Sequence, residues 1–165
     1  MATHDTPRSR ATGTATRPAQ RGWTLIELVI GLLVLALLAA VAVPTYLGQV
    51  RKLRRADAIA ALLRLQQAQE RWRTNQPSYA GTLAASGLNL ATLSPGGNYL
   101  LATRTDPASA ASAYQVSAVA QGAQAQDSTC RYMRIDVQGG VIVHQSGPDD
   151  LHGNTATLNR RCWNE

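Results

Sequence analysis

Glu27 is the one ionisable side chain in an apolar stretch that runs from Trp23 to Tyr46. A carboxylate in a membrane-spanning segment costs ~2.5–3.5 kcal/mol, so such a group marks function and calls for a partner. Thr24-x-x-Glu27 also has the form of a capping box, which would start a helix at this point. Other chemistry is thinly represented. His4, His144 and His152 stand in no triad or metal-ligand spacing, and no glycine-rich phosphate loop follows a strand. Asp149-Asp150 beside Pro148 reads as a solvated turn. An enzyme is therefore not expected, nor a cofactor, nor a metal site.

Cys130 and Cys162 lack any Cys-x-x-Cys spacing. On an exported domain they would form one disulfide closing a loop of about 30 residues, stabilising by roughly 3–4 kcal/mol. The alternative is two buried thiols. Arg51-Lys52-x-Arg54-Arg55 follows the apolar run directly. It reads as a juxtamembrane anchor at the lipid headgroups, with nucleic-acid contact as the competing reading.

The elements that must position these groups follow from periodicity. No charge occurs from Leu28 to Tyr46, close to the ~20 residues needed to span a bilayer. A signal peptide cleaved at Ala40-Val41-Ala42 would share that feature, but Glu27 would weaken it. Beyond Tyr46 the apolar residues Val50, Leu53, Ile59, Leu62, Leu63, Leu65 and Trp72 recur at helical spacing, with Arg54, Asp57, Arg64 and Arg71 near another face. The helix should run from Trp23 to about Asn75, ended by Gln76-Pro77 and bent or broken at Pro44.

Residues 77–98 are rich in Pro and Gly and read as a loop wrapping over the helix. Strands are expected at 99–103, 114–120, 130–137 and 141–145, the last two joined by a tight hairpin at Gln138-Gly139-Gly140. One sheet face should lie on the Leu62/Leu65/Trp72 side of the helix, and the tail from Ser146 should be a loop pinned by Cys162. The net charge is +6 over 165 residues. Half of it belongs to the polar leader 1–22, so the remainder is only mildly basic and weak evidence for nucleic acid.

Gly22-Trp23-Thr24-Leu25-Ile26-Glu27-Leu28, continued by apolar residues to Pro44-x-Tyr46, resembles the N-terminus of type IV pilin precursors. Ala56-Asp57-Ala58, Gln69-Glu70, Tyr99-Leu100-Leu101, the Cys130 to Gly139 strand and Cys162-Trp163 resemble the pilE-like, minor-pilin branch of that family. The resemblance implies an α+β type IV pilin fold. A long N-terminal helix, hydrophobic and then amphipathic, packs on a small antiparallel β-sheet head with a C-terminal disulfide loop.

The resemblance also implies a history for the N-terminus. A prepilin peptidase cuts after Gly22 and the new amine of Trp23 is methylated, although the family usually has Phe there. In the filament the Glu27 carboxylate meets the N-terminal amine of a neighbouring subunit, a buried pair that enforces register. The domains then read as leader 1–22, transmembrane and assembly half-helix 23–48, amphipathic half-helix 49–76 and head 77–165.

The expected partners are other pilin subunits, the prepilin peptidase, the inner-membrane assembly machinery and, before assembly, membrane lipid. The expected location is the inner membrane, single-pass, with a cytoplasmic N-terminus and periplasmic head, and after assembly an extracellular pilus serving adhesion, twitching motility or DNA uptake. Basic residues flank both ends of the span, so the cysteines, which belong outside, decide the orientation. The first rival is a DNA-binding pilin acting as an uptake receptor through Arg104, Arg131, Arg134, Arg160 and Arg161. The others are a pseudopilin of a type II secretion system and a plain membrane-anchored periplasmic protein.

Overall fold

The computed structural model describes residues 22–149 and 154–163. The leader up to Arg21, with His4 in it, and Asp150 and His152 lie outside the described residues. The chain forms two compact units, Met1–Val41 and Ala42–Glu165.

Helix α1 (Leu25–Arg73) begins in the first unit and ends in the second. Thr24 caps it: its Oγ1 accepts the Glu27 N–H at 3.3 Å, and its carbonyl accepts the first helical bond from Leu28 at 3.2 Å. Of the bend or break expected at Pro44, the break is absent: α1 is helical on both sides of it. Proline removes one donor from the ladder, and the flanking turns hold the helix through the gap. At its far end α1 stops at Arg73, two residues short of Asn75, where the Thr74 hydroxyl turns back onto the Arg71 carbonyl.

Four antiparallel strands follow in sequence order, β1 (Tyr99–Arg104), β2 (Ala113–Ala120), β3 (Tyr132–Gln138) and β4 (Val141–Gly147). Gln138 pairs with Val141, and both residues between them, Gly139 (φ 56°) and Gly140 (φ 83°), are left-handed. A two-residue turn of this hand matches the sheet twist, and glycine enters it without steric cost.

Register puts the buried apolar residues of β1, β2 and β3 on one face, while Val141, Ile142 and Val143 of β4 stay exposed. Val116 sits opposite both Thr103 and Ile135, and Ala118 opposite both Leu101 and Met133. That face buries against Ala58, Ala61, Leu62 and Leu65 of α1, with Cys130, Cys162 and Trp163 closing one side of the core. This is the α+β pilin arrangement expected from the sequence.

Trp72 does not hold the place foreseen for it. It is half-buried and donates its indole N–H to the Ser78 carbonyl at 3.2 Å. The buried residue on the core face at that height is Gln69, whose amide both donates to and accepts from the Ala80 backbone and also reaches Thr103 Oγ1. A polar side chain can be buried there because its donors and acceptor are all matched.

At the other end of the wrapping loop, Asp57 accepts from Ser94 Oγ at 2.6 Å, the Gly96 N–H at 3.0 Å and Asn98 Nδ2 at 3.2 Å. A Cβ on Gly96 would come to 2.7 Å from both the Asp57 carboxylate and the Asn98 side-chain amide, so a side chain there would displace these two partners.

The tail expected as loop contains helix α2 (Ala156–Trp163). Thr155 caps it through Oγ1 to the Leu158 N–H at 3.2 Å. Its Leu158, Cys162 and Trp163 turn inward, so an eight-residue segment too short to be helical alone is held by packing and by the Cys130–Cys162 disulfide.

Candidate functional site

In the first unit, the apolar half of α1 has nothing over it. Leu25, Ile26, Leu28, Leu32, Leu35 and Leu38 are all more than half exposed, and the helix is long and apolar enough to cross a membrane. An apolar surface on every side of a helix belongs in lipid or in an assembly core. Glu27 sits one turn inside this surface, exposed, in a shallow hollow with Gly22, Trp23 and Thr24. Its N–H is satisfied by Thr24; among the described residues no donor reaches its carboxylate. The site thus consists of one unmatched anion four residues beyond Trp23, which is 80 % exposed.

In the second unit, the arginines singled out from the sequence separate. Arg104 ends β1 and is exposed. Arg131 precedes β3, exposed, with Nε donating to the Ala125 carbonyl at 2.9 Å. Arg104 stands opposite Gln115, while the Arg131 carbonyl receives the Ala120 N–H five residues further along β2. The two arginines therefore lie ~17 Å apart along the sheet.

Arg134 is committed elsewhere. It pairs with Asp136 at 2.7 Å and donates to Gln145. Burial pushes the Asp136 carboxyl up despite that pairing, and one of its oxygens has no hydrogen-bond partner. Arg160 and Arg161 are the two that come together, on the exposed side of α2.

They meet part of the basic cluster on α1. An open cleft of about 600 Å³ is lined by Pro44, Thr45, Gly48, Gln49, Lys52, Arg55, Arg160 and Arg161, with no carboxylate among them. The cluster read as a uniform anchor is divided in three. Lys52 faces the cleft, Arg51 donates to Gln126 at 3.1 Å, and Arg55 turns inward.

Arg55 forms a two-pronged ion pair with Asp127, Nε to Oδ2 at 2.7 Å and the second nitrogen to Oδ1 at 2.9 Å, both side chains buried. Gln124 extends the network. Its amide nitrogen lies 3.0 Å from the Tyr99 hydroxyl, 3.1 Å from the Arg51 carbonyl and 3.2 Å from Asp127. Burial raises the Tyr99 phenol to about 12. Neither Asp127 nor Gln124 is marked by local pattern, and each is tied to α1 by a contact more than 70 residues away in the chain.

Residues 17–43 match the prokaryotic N-terminal methylation motif. Residues 44–134, more than half of the chain, match the family described as type IV minor pilin ComP, DNA uptake sequence receptor. The chain belongs to the type IV minor pilins. No curated protein matches it.

The two matches meet at Pro44, where the apolar half of α1 gives way to the part that carries the head. Membership accounts for the uncovered apolar helix of the minor pilin, which fits membrane anchoring and pilus assembly. Its family is one of structural subunits and not of enzymes. The family match ends inside β3, so β4, α2 and the pair Arg160–Arg161 lie beyond it.

Proposed function

We propose that this minor pilin is made with the leader 1–22, cut after Gly22 by a prepilin peptidase and methylated at Trp23. Residues 23–48 then hold it in the inner membrane with its N-terminus cytoplasmic and its head periplasmic. The assembly machinery moves it into an extracellular pilus among other pilin subunits. There the Glu27 carboxylate pairs with the Trp23 amine of a neighbour, removing from lipid an anion that costs ~2.5–3.5 kcal/mol.

The observation that carries this reading is the Glu27 carboxylate, which has no donor among the described residues and stands on an uncovered apolar helix four residues beyond Trp23. Mass spectrometry of the mature chain tests it: the expected N-terminus is methylated Trp23, and an intact Met1 or a start at Val43 refutes it. Glu27→Ala should leave processing intact and deplete the subunit from sheared filaments. A mature chain confined to the membrane fraction would favour a pseudopilus.

A second reading is favoured by the family described as a DNA uptake sequence receptor, whose match covers α1 from Pro44 and the head as far as Arg134. On this reading the head binds DNA, with exposed Arg104 and Arg131 as phosphate contacts; Arg134, tied to Asp136 and Gln145, is the weakest of the arginines considered. Binding of duplex DNA by the full-length chain should weaken steeply with salt, and Arg104→Gln with Arg131→Gln should flatten that slope. Binding indifferent to salt and to both replacements excludes the role.

A further inference from the structure

Arg160 and Arg161, grouped with the other arginines when DNA contact was considered from the sequence, open instead into the cleft between α1 and α2. Its lining brings Lys52, Arg160 and Arg161 to one opening, with the Gln49 amide beside them and no carboxylate in the wall. Arg55, at the base, is neutralised by Asp127 and donates to the Arg161 carbonyl at 3.5 Å, which holds the end of α2 in place. Among the described residues Lys52, Arg160 and Arg161 form no ion pair. Among the described residues three cations therefore face one cavity with no carboxylate opposite them, which is the electrostatic complement of a phosphate.

Sequence position identifies the source of that phosphate. Pro44 and Thr45 in the cleft wall belong to the charge-free run that ends at Tyr46, and Lys52 comes less than two helical turns later. When residues 28–46 cross a bilayer, residues 44–52 stand at its polar layer, where lipid phosphates are concentrated. Basic side chains at that level are attracted to anionic lipid by ~1 kcal/mol each. A DNA duplex reaching Pro44 would have to enter that same anionic layer, which repels it.

We propose that the Lys52–Arg160–Arg161 cleft is a binding site for the phosphate headgroup of an anionic phospholipid, clamping the base of the head to the membrane before assembly. This rests on the membrane-inserted state proposed above. α2 then does more than close the disulfide loop: it supplies two of the three cations.

The test uses the full-length chain in nonionic detergent, titrated with phosphatidylglycerol and followed by native mass spectrometry and thermal melting. Phosphatidylglycerol should bind and raise the melting temperature. The variant Lys52→Gln/Arg160→Gln/Arg161→Gln should bind it ~100-fold more weakly, as expected for three lost headgroup contacts. The charge-keeping variant Lys52→Arg/Arg160→Lys/Arg161→Lys should stay near the parent, which separates lost charge from lost folding.

Equal lipid affinity in parent and neutral variant overturns the proposal. So does inorganic phosphate that competes fully at the same concentration, or a DNA duplex that displaces the lipid and is lost in the neutral variant. If the parent partitions into vesicles yet shows no phosphatidylglycerol dependence, the cleft proposal alone fails. If it remains in the aqueous phase without detergent, membrane insertion fails with it.

Discussion

Replacing Asp127 by asparagine would remove one charge from the buried pair that ties α1 to the segment between β2 and β3. Asparagine keeps the shape and can still meet Gln124, but it leaves the Arg55 guanidinium uncompensated. The two side chains are 8 % and 4 % exposed, so water cannot replace the lost carboxylate. Breaking one side of a buried pair costs ~3–5 kcal/mol. At ~4–8 °C per kcal/mol for a head of this size, that corresponds to a fall of at least ~12 °C in melting temperature.

The assay is thermal melting of the full-length chain in detergent, read by near-ultraviolet circular dichroism, because Tyr99 and Trp163 lie in the affected core. A second variant tests the cause. Arg55→Met with Asp127→Leu removes both charges and should recover most of the loss, since the penalty arises from the orphaned ion and not from the missing attraction. An Asp127→Asn variant melting within about 2 °C of the parent would refute this account. So would a double replacement whose loss is the sum of the two single losses.

Reduction of Cys130–Cys162, 32 residues apart, should destabilise the head by ~3–4 kcal/mol through the loop it releases; melting with and without reductant measures this, and coincident curves contradict it. Burial tends to raise the Asp57 carboxyl, but its bonds from Ser94, Gly96 and Asn98 outweigh that and hold it below the ordinary range. Its contribution is therefore complete above the unfolded value of about 3.9 and is lost as pH falls through the lower folded value. Urea midpoints of Asp57→Asn between pH 5 and 2 should fall less steeply than those of the parent.

At the alkaline end the sign reverses. An unfolded tyrosine ionises near 10, whereas Tyr99 keeps its proton to about 12, so stability should decline across that interval as the unfolded chain releases protons first. Tyr99→Phe should shallow that decline in chemical denaturation from pH 9 to 12.

Much of the architecture was legible because it is written in short-range periodicity. The alternation of Tyr114, Val116, Ala118 and Ala120 places β2 and its inner face without reference to any other segment. Gly139-Gly140 sets both the turn and the β3–β4 register. α2 was less legible. Thr155 with Leu158 three residues on is a faint capping signal, and the segment's Thr, Asn and Trp have no strong helical preference. At Pro44 the local rule allowed a bend or a break, and α1 runs through it without a break.

The basic residues show where local reading stopped. Arg51, Lys52 and Arg55 look alike in the sequence. Helical geometry alone gives them different directions, and only the packed head decides that one is buried against Asp127, one bonds Gln126 and one faces a cleft.

By itself the sequence determined the processing motif, the uncovered apolar helix, its single carboxylate and the two-faced helix that follows, since each depends on neighbours within a few turns. The tertiary structure alone decided the Arg55–Asp127 pair, the Gln69 and Asp57 anchors, and the meeting of Lys52 with Arg160 and Arg161. Those contacts join residues far apart in the chain, and their partners are selected by burial and register, which no local spacing encodes.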